Sequence, residues 1–259
     1  VFGRRKSPTP FDCNAPLRVR SHWDVLRTGC MDDDIPPTWK DAWAKRKPYA
    51  PTGSILAGLL SLTGAKRRVQ RIRGSQWLEF VGGVYRALHI EPQDSVFEVG
   101  CGPGGWLYPL YVAGNCVGGM DYSEFLIETA RRCMPKADLF LGEAAECPEL
   151  PQYDVVVSHS VFYYFPSYGY AEKVLVAMAK KAKKRIGILS VPDLKMRDEF
   201  EARRRSSHPE GEYDRLYKNL SYLYFDRDFF TALGDRLGLK TRFVTRSGKF
   251  KYHVIMEVP

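Results

Sequence analysis

The sequence predicts an α/β fold with a doubly wound, mostly parallel seven-stranded sheet that includes an antiparallel last strand. From Asp94 onward, short apolar runs rich in β-branched residues alternate with stretches of helical periodicity. This alternation is typical of β-α-β units around a buried parallel sheet. The chain closes with two more apolar runs joined by a Ser-Gly-Lys turn. A β-hairpin is expected there, so the last strand should run antiparallel to its neighbour.

Composition places the chain among ordinary globular proteins. Of its 259 residues, 44% are apolar and 27% are charged, which excludes collagen-like, coiled-coil and wholly disordered chains. No run approaches the roughly 18 apolar residues of a transmembrane helix, so no transmembrane segment is expected. The six cysteines are scattered without a CxxC pair. They predict neither a metal site nor a disulfide framework, and they favour an intracellular compartment, the mitochondrial matrix or the cytoplasm.

The basic charge is concentrated at the start of the chain. Residues 1–80 contain 15 Lys and Arg against 7 Asp and Glu, whereas residues 81–259 contain 24 against 23. Seven prolines among the first 51 residues interrupt regular structure. We therefore interpret residues 1–67 as an irregular basic N-terminal extension and residues 68–259 as the folded domain. Through residues 1–80 the chain could bind an acidic protein or RNA, or this stretch could simply be solvated.

The elements of the domain follow in a regular order. An amphipathic helix over residues 68–88 enters the domain, because apolar side chains recur there at helical spacing. Strands are predicted over 95–99, 115–120, 137–141, 153–158, 185–191, 241–246 and 250–258. The other helices are predicted over 106–113, 123–133, 169–184 and 226–237. The stretch 194–226 is dense in charge and tyrosine, and it is either a lid over a substrate or a solvated helix.

The segment from Val96 to Trp106 carries the chemistry. A predicted strand runs into the turn Glu98-Val99-Gly100-Cys101-Gly102-Pro103-Gly104, and a helix follows. Glycines allow positive φ and close approach to a ligand, and amides at a helix start can donate to it. Asp121 ends the next strand, where a carboxylate can accept hydrogen bonds from ribose hydroxyls. The pattern predicts a nucleotide-type cofactor.

Glu98 discriminates between two cofactors that suit this pattern. Gly100, Gly102 and Gly105 satisfy the G-x-G-x-x-G of NAD-binding domains. A carboxylate two residues before the first glycine would repel a pyrophosphate. S-adenosylmethionine carries an ammonium and a sulfonium in place of phosphates, so the same carboxylate favours it. An NAD-dependent oxidoreductase is the disfavoured alternative.

These residues resemble the class I S-adenosylmethionine-dependent methyltransferases. The Glu98–Gly104 loop matches the family's E/D-x-G-x-G-x-G motif, and Asp121 matches the acid after its second strand. Gly142-Glu143-Ala144 resembles the loop whose acidic side chain usually meets the adenine amino group. The resemblance covers residues 68–258, and it implies a Rossmann-like methyltransferase fold with S-adenosyl-L-methionine as cofactor. The cofactor-binding residues that we expect are Glu98, Gly100, Cys101, Gly102, Gly104, Asp121, Tyr122, Glu143, Ala144 and His159.

Candidate catalytic residues follow the fourth and fifth strands. Asp154–Ser158 with His159-Ser160-Val161 resembles the family's fourth strand and methyl-transfer loop. Alignment supplies most of the acceleration in such a displacement, and a base is needed only when the acceptor arrives protonated. His159 is either that base or a packed histidine. Tyr163 is either a pocket wall or a core aromatic, and Asp193 is either a ligand contact or a turn residue.

The predicted function is methyl transfer from S-adenosylmethionine to a small-molecule acceptor. The family's Asn/Asp-Pro-Pro-Tyr/Phe loop, associated with exocyclic amino acceptors, is replaced here by Ser158-His159-Ser160-Val161. This replacement and the near-neutral charge of residues 81–259 disfavour nucleic-acid bases as acceptors. The alternative is a binding or structural subunit of the same fold, held by its basic extension in a larger assembly that could contain RNA.

Overall fold

The computed structural model describes residues 38–44, 54–63, 74–245 and 248–259. Seven strands of this part form one sheet: β1 Val96–Val99, β2 Val117–Asp121, β3 Asp138–Leu141, β4 Tyr153–His159, β5 Ala182–Pro192, β6 Lys240–Thr245 and β7 Lys251–Glu257. Their spatial order is β3-β2-β1-β4-β5-β7-β6. Strands β1 to β5 are parallel, and β7 lies antiparallel between β5 and β6. The predicted fold class is confirmed.

Helices cover both faces of the sheet. On one face lie α3 Gly74–Ala87, α4 Leu107–Ala113 and α5 Glu124–Cys133, and on the other lie α6 Tyr168–Lys181 and α9 Arg227–Arg236. Successive side chains of a strand point to opposite faces. Val155 and Val157 of β4 therefore pack with the first group, and Val156 packs with the second. Each face has its own apolar core, which fixes the strand ends in space.

Within the described residues, two short helices precede α3: α1 Trp39–Ala44 and α2 Ile55–Leu62. The Ser54 hydroxyl caps α2 by accepting from the Ala57 amide at 3.3 Å. Leu60 joins the apolar core beside α3. The expectation of an irregular extension is therefore corrected for these residues, which form helices packed on the domain. The basic leader, Trp23 and the boundary between residues 67 and 68 lie outside the described residues.

Helix α6 ends earlier than the sequence predicted. A helix was predicted over residues 169–184, but α6 ends at Lys181 and β5 begins at Ala182. Lys181 is fully buried, and its ammonium donates to the carbonyls of Pro148 and Pro151 at 2.8 and 3.0 Å. Its Nζ also lies 4.3 Å from the centre of the Phe97 ring. These partners compensate the burial of the ammonium, while burial lowers the pKa of Lys181.

The segment over residues 194–226 contains α7 Arg197–Ser206 and α8 Glu212–Leu216. Three of its four tyrosines, Tyr213, Tyr217 and Tyr224, are buried, and Tyr222 is half-buried. Tyr213 and Tyr217 are buried together with Leu216 and Leu220, and Trp39 of α1 packs against this group. The Trp39 indole also donates to the Ser221 carbonyl at 2.6 Å. Helix α1 and the 194–226 segment thus form one aromatic layer.

Candidate active site

A cavity of about 810 Å³ opens at the carboxyl ends of the parallel strands. Its walls include the residues that directly follow β1, β2, β3 and β4. The strand order reverses between β1 and β4. In open α/β sheets, ligands bind outside the carboxyl ends of the strands at such a reversal. The topology therefore places the predicted cofactor residues around one opening.

The glycine loop after β1 adopts a conformation that requires glycine. Gly100, Gly102 and Gly104 have φ values of +76°, +53° and +85°. A Cβ on Gly100 would lie 2.6 Å from a methyl group of Val161, and one on Gly104 would overlap the Met134 methyl group. Gly100 and Gly102 line the cavity. The loop therefore brings bare backbone to the cavity wall.

Asp121 holds the glycine loop against the next helix. One carboxylate oxygen accepts from the Gly102 amide at 2.9 Å, and the other accepts from the Ser123 amide at 2.9 Å. The half-buried side chain also lines the cavity. A carboxylate oxygen can accept more than one hydrogen bond. Asp121 can therefore fix the loop and still receive a ligand hydroxyl.

Glu98 is a buried acid at the same wall. Its side chain is 2% exposed, and its Oε2 has no hydrogen-bond partner among the described residues. Burial, with a smaller contribution from Asp121, raises the pKa of Glu98 well above its usual range. Burial also raises the pKa of the neighbouring Cys101 thiol, which stays neutral. A buried carboxylate without a partner fits a cationic group in the cavity.

Helix α1 lies against the other predicted cofactor residues. Glu143 forms an ion pair with Lys40 of α1, and its second oxygen accepts from the Tyr170 hydroxyl at 3.1 Å. The Tyr122 hydroxyl donates to the Lys40 carbonyl at 3.4 Å. Ala144 follows Glu143 in a single 3-10 turn, and all four of Lys40, Tyr122, Glu143 and Ala144 line the cavity.

His159 ends β4 and lines the cavity. Its ring lies 5.5 Å from the ring of Trp77 and 5.1 Å from that of Phe80, measured between centres. Its Nε2 is 3.1 Å from the Ser160 hydroxyl. His159 is thus packed among aromatics and hydrogen-bonded, at the position where the sequence placed a candidate base.

Tyr163 lines the cavity beside a lysine at the start of β7. The Lys251 ammonium lies 4.4 Å from the centre of the Tyr163 ring. Burial would raise the pKa of Tyr163, but the charge of Lys251 and hydrogen bonds from neighbouring groups outweigh it and lower that pKa. The ring also contacts Tyr164 and Tyr222, with centres 4.4 and 5.2 Å away.

Asp193 does not line the cavity. Its carboxylate accepts from the Lys195 amide at 3.0 Å, so it caps the 3-10 turn that opens the 194–226 segment. In the structure Asp193 is therefore a turn residue, which the sequence analysis named as the alternative to a ligand contact.

Comparison with known proteins identifies the domain that builds this cavity. Residues 96–185 match the family model described as a methyltransferase domain. Residues 96–185 thus carry a methyltransferase domain, and the fold around them is that of the class I S-adenosylmethionine-dependent methyltransferases. The predicted family and its cofactor are thus confirmed.

Solved structures of other methyltransferases share this fold. Magnesium protoporphyrin IX methyltransferase from Synechocystis PCC 6803, solved with bound S-adenosylmethionine, is 18% identical at a TM-score of 0.53, over 89% of this chain and 98% of its own. The amino pentose methyltransferase CalS10 from Micromonospora echinaspora is 11% identical at a TM-score of 0.56, over 72% of this chain and 93% of its own. At these identities the likeness concerns the fold.

An uncharacterized protein of Haemophilus influenzae is 29% identical over 126 residues. The match covers 45% of this chain and 45% of that protein, so the chain spans less than half of the curated relative.

Three charged residues line the cavity in addition to the predicted cofactor and catalytic residues, and one of them, Arg204, lies in the 194–226 stretch that was expected to be either a lid or a solvated helix. Lys40 comes from the extension, Arg204 from α7 and Lys251 from β7. None of them belongs to a local motif. Of the three, only Lys251 could have been placed near the cavity from the sequence. An antiparallel last strand must begin at the edge of the sheet where the parallel strands end.

Two kinds of feature are absent from the part of the chain that the structure describes. No three His, Cys, Asp or Glu side chains gather there in an arrangement that could hold a metal ion. No helix in that part has the length and apolarity needed to cross a membrane.

Proposed function

We propose that the protein transfers a methyl group from S-adenosylmethionine to a small-molecule acceptor by in-line displacement. The observation that carries the proposal is Glu98, a buried carboxylate whose Oε2 lacks a partner at the wall of a cavity built by the family's glycine loop. A buried anion without a partner is costly unless a cation joins it. The ammonium of the methionine moiety supplies such a cation.

The cofactor-binding roles follow from the positions of the three acids. Glu98 would receive the ammonium, and Asp121 the ribose hydroxyls. Glu143 would receive the adenine amino group through a carboxylate that Lys40 and Tyr170 already orient, one at each oxygen. The bound cofactor supplies an activated methyl group on a sulfonium. The chain then has to align the acceptor and exclude water.

An aromatic wall supports the alignment of a small acceptor. Trp39 lies between Tyr164 and Tyr222, with ring centres 4.7 Å from each, and Tyr163 contacts both tyrosines. Aromatic walls hold planar groups and exclude water. A volume of about 810 Å³ lies in the range of small-molecule sites, and it suits a cofactor together with a small acceptor.

A protonated acceptor would lose its proton to a side chain of the methyl-transfer loop. Tyr163 is the better placed candidate, because Lys251 favours its phenolate. His159 is the second candidate, and its Ser160 contact would orient the imidazole. Neither is needed for an acceptor that arrives deprotonated.

The test offers one methyl donor to two classes of acceptor. The full chain is incubated with isotopically labelled S-adenosylmethionine and either a metabolite extract or total RNA. We expect label in the low-molecular-mass fraction and none in RNA. An E98Q variant, with the S-adenosylmethionine concentration kept low, serves as the control with reduced incorporation. Incorporation into RNA alone would refute the small-molecule acceptor, and no incorporation into either would support the structural-subunit alternative.

A further inference from the structure

The charges that line the cavity are divided between its two ends, apart from Lys40, which is paired with Glu143 at the cofactor end. Its acids, Glu98, Asp121 and Glu143, belong to or directly follow β1, β2 and β3, at the cofactor end. Arg204 of α7 and Lys251 of β7 line the other end, beside the tyrosines. In the described part of the chain, no carboxylate from α7 or β7 lines the cavity with them. The end assigned above to the acceptor therefore carries positive charge.

Arg204 is a buried cation, and one nitrogen of its guanidinium has no hydrogen-bond partner among the described residues. Its side chain is 4% exposed, and its Nη1 donates to a Glu201 oxygen at 3.3 Å. Its Nη2 has no hydrogen-bond partner among the described residues. Glu201 also accepts from the hydroxyls of Tyr213 and Tyr224, so its oxygens are already shared. A buried guanidinium nitrogen without a partner favours an added acceptor.

Lys251 supplies the second positive charge. Its ammonium lies over the Tyr163 ring, and within the described residues it forms no ion pair with a carboxylate. The neighbouring cations differ in this respect. Lys249 pairs with Glu199, and Arg205 pairs with Asp214. Lys251 thus keeps its charge available to a ligand, whereas Arg204 pairs with Glu201 through Nη1 and offers only its Nη2.

The two cations border one pair of tyrosines. The Arg204 guanidinium carbon lies 3.8 Å from the centre of the Tyr222 ring, and Lys251 lies 4.4 Å from that of Tyr163. The two rings are 5.2 Å apart. Flat rings flanked by two cations suit a planar molecule with an anionic group, because the rings contact its face and the cations bind its oxygens.

We infer that the methyl acceptor is a planar anionic small molecule whose oxyanion group binds at the Arg204 and Lys251 end of the cavity. This inference rests on the proposed function, because the anion is a methyl acceptor only if the protein transfers methyl groups. The same two cations could instead bind the carboxylate of the cofactor's methionine moiety. Cofactor affinity separates these two assignments.

The test measures binding, which is independent of turnover. The full chain is titrated by calorimetry with S-adenosylhomocysteine, and then with and without it with 4-hydroxybenzoate, phenyl phosphate and the neutral 4-hydroxybenzamide. We expect at least one of the two anions to bind about tenfold or more tightly than the amide, because charged hydrogen bonds are lost with the amide. Comparing the affinities for phenyl phosphate and 4-hydroxybenzoate shows whether the site prefers a phosphate or a carboxylate.

Two variants and two matched controls complete the experiment. K251M and R204K should weaken the anion about tenfold and leave S-adenosylhomocysteine affinity unchanged. K249M and R205M remove neighbouring charges that are already paired, and they should leave both affinities unchanged. Lys251 is only partly buried at the start of β7, so K251M tests the site even if R204K fails to fold.

The inference is overturned if neither anion binds better than the amide, or if K251M binds the anion as K249M does. Loss of S-adenosylhomocysteine affinity in K251M or R204K would assign the cations to the cofactor and overturn it as well. If the wild-type chain does not bind S-adenosylhomocysteine at all, the proposed function fails. The anion titrations without cofactor then still decide whether the anion site exists.

Discussion

Replacing Glu98 by Gln separates cofactor binding from fold stability. The carboxylate is buried, and its Oε2 has no hydrogen-bond partner among the described residues. Burial and, to a lesser extent, the charge of Asp121 raise the pKa of Glu98 well above its usual range. The E98Q substitution keeps the size of the side chain and removes the charge. We expect it to stabilise the fold and to weaken the cofactor.

The stability change follows from proton linkage. The pKa of Glu98 is higher in the folded chain than in the unfolded chain, so the folded chain binds more protons between the two values. The free energy of unfolding of the wild type therefore falls as pH rises through that window. Leaving a buried charged group without a partner costs about 1–3 kcal/mol or more. We expect E98Q to be more stable by about 1–3 kcal/mol at pH 8, with a smaller difference at pH 5.

The binding change has the opposite sign. A charged hydrogen bond contributes about 1.5–3 kcal/mol, so E98Q should bind S-adenosylhomocysteine about 10- to 100-fold more weakly. Glu98 must be ionised to pair with the ammonium. Below its pKa in the free protein, the logarithm of the wild-type association constant should therefore fall by up to about one per pH unit. The E98Q protein should lack this dependence.

Calorimetry measures both effects on the full chain. Titrations with S-adenosylhomocysteine between pH 5 and 9, in buffers with different heats of ionisation, report affinity and proton release. Thermal unfolding over the same range reports stability. E149Q is the matched control, because Glu149 is exposed and does not line the cavity. Equal affinity and equal proton release in E98Q and wild type would refute the assignment of Glu98 to the ammonium.

Asp121→Ala should weaken the binding of S-adenosylhomocysteine by about 1–3 kcal/mol. It should also lower the melting temperature, because Asp121 accepts hydrogen bonds from the amides of Gly102 and Ser123. Unchanged affinity in calorimetry would exclude the ribose role. Lys251→Met removes the charge that lowers the pKa of Tyr163, so the rising limb of the pH–rate profile should move to higher pH. An unmoved limb would exclude Tyr163 as the base. Gly104→Ala should cost about 1–3 kcal/mol in chemical denaturation, because φ is +85° and a methionine occupies the Cβ position. Its control, Gly83→Ala in an open helical position, should instead stabilise by about 0.5–1 kcal/mol. Equal effects of the two glycine substitutions would contradict the loop geometry.

The sequence predicted the cofactor end of the cavity because its signals are local. Glu98, the glycine loop and Asp121 lie within 24 residues, and strand alternation alone brings their strand ends together. The positive φ values of Gly100 and Gly102 give the reason for the glycines. These features need no knowledge of side-chain packing.

The acceptor end could not be predicted in the same way. Lys251 reaches the cavity because its pairing with Pro192 places the start of β7 beside the end of β5. Such a register depends on packing across the sheet, which the hairpin pattern does not specify. Arg204 lies in a charged helix whose sequence is equally consistent with a solvated helix and with a lid over the substrate. Trp39 belongs to a segment whose prolines predicted irregular structure, yet its indole contacts residues far along the chain.

The end of α6 shows another limit of sequence reasoning. A run of lysines is typical of a solvated helix terminus, but one of them, Lys181, is buried against Phe97 and two carbonyls. Periodicity does not reveal which lysine finds compensating partners. The predicted helix therefore extended into β5.

The most direct test of the central claim is a calorimetric titration of the full chain with S-adenosylhomocysteine and, separately, with NAD⁺. The buried carboxylate of Glu98 favours a cationic group and opposes a pyrophosphate at the same wall. We expect S-adenosylhomocysteine to bind with saturable heat at one site, and NAD⁺ to give no saturable heat at the same concentrations. Saturable binding of NAD⁺ without binding of S-adenosylhomocysteine would contradict the assignment of this cavity to methyl transfer.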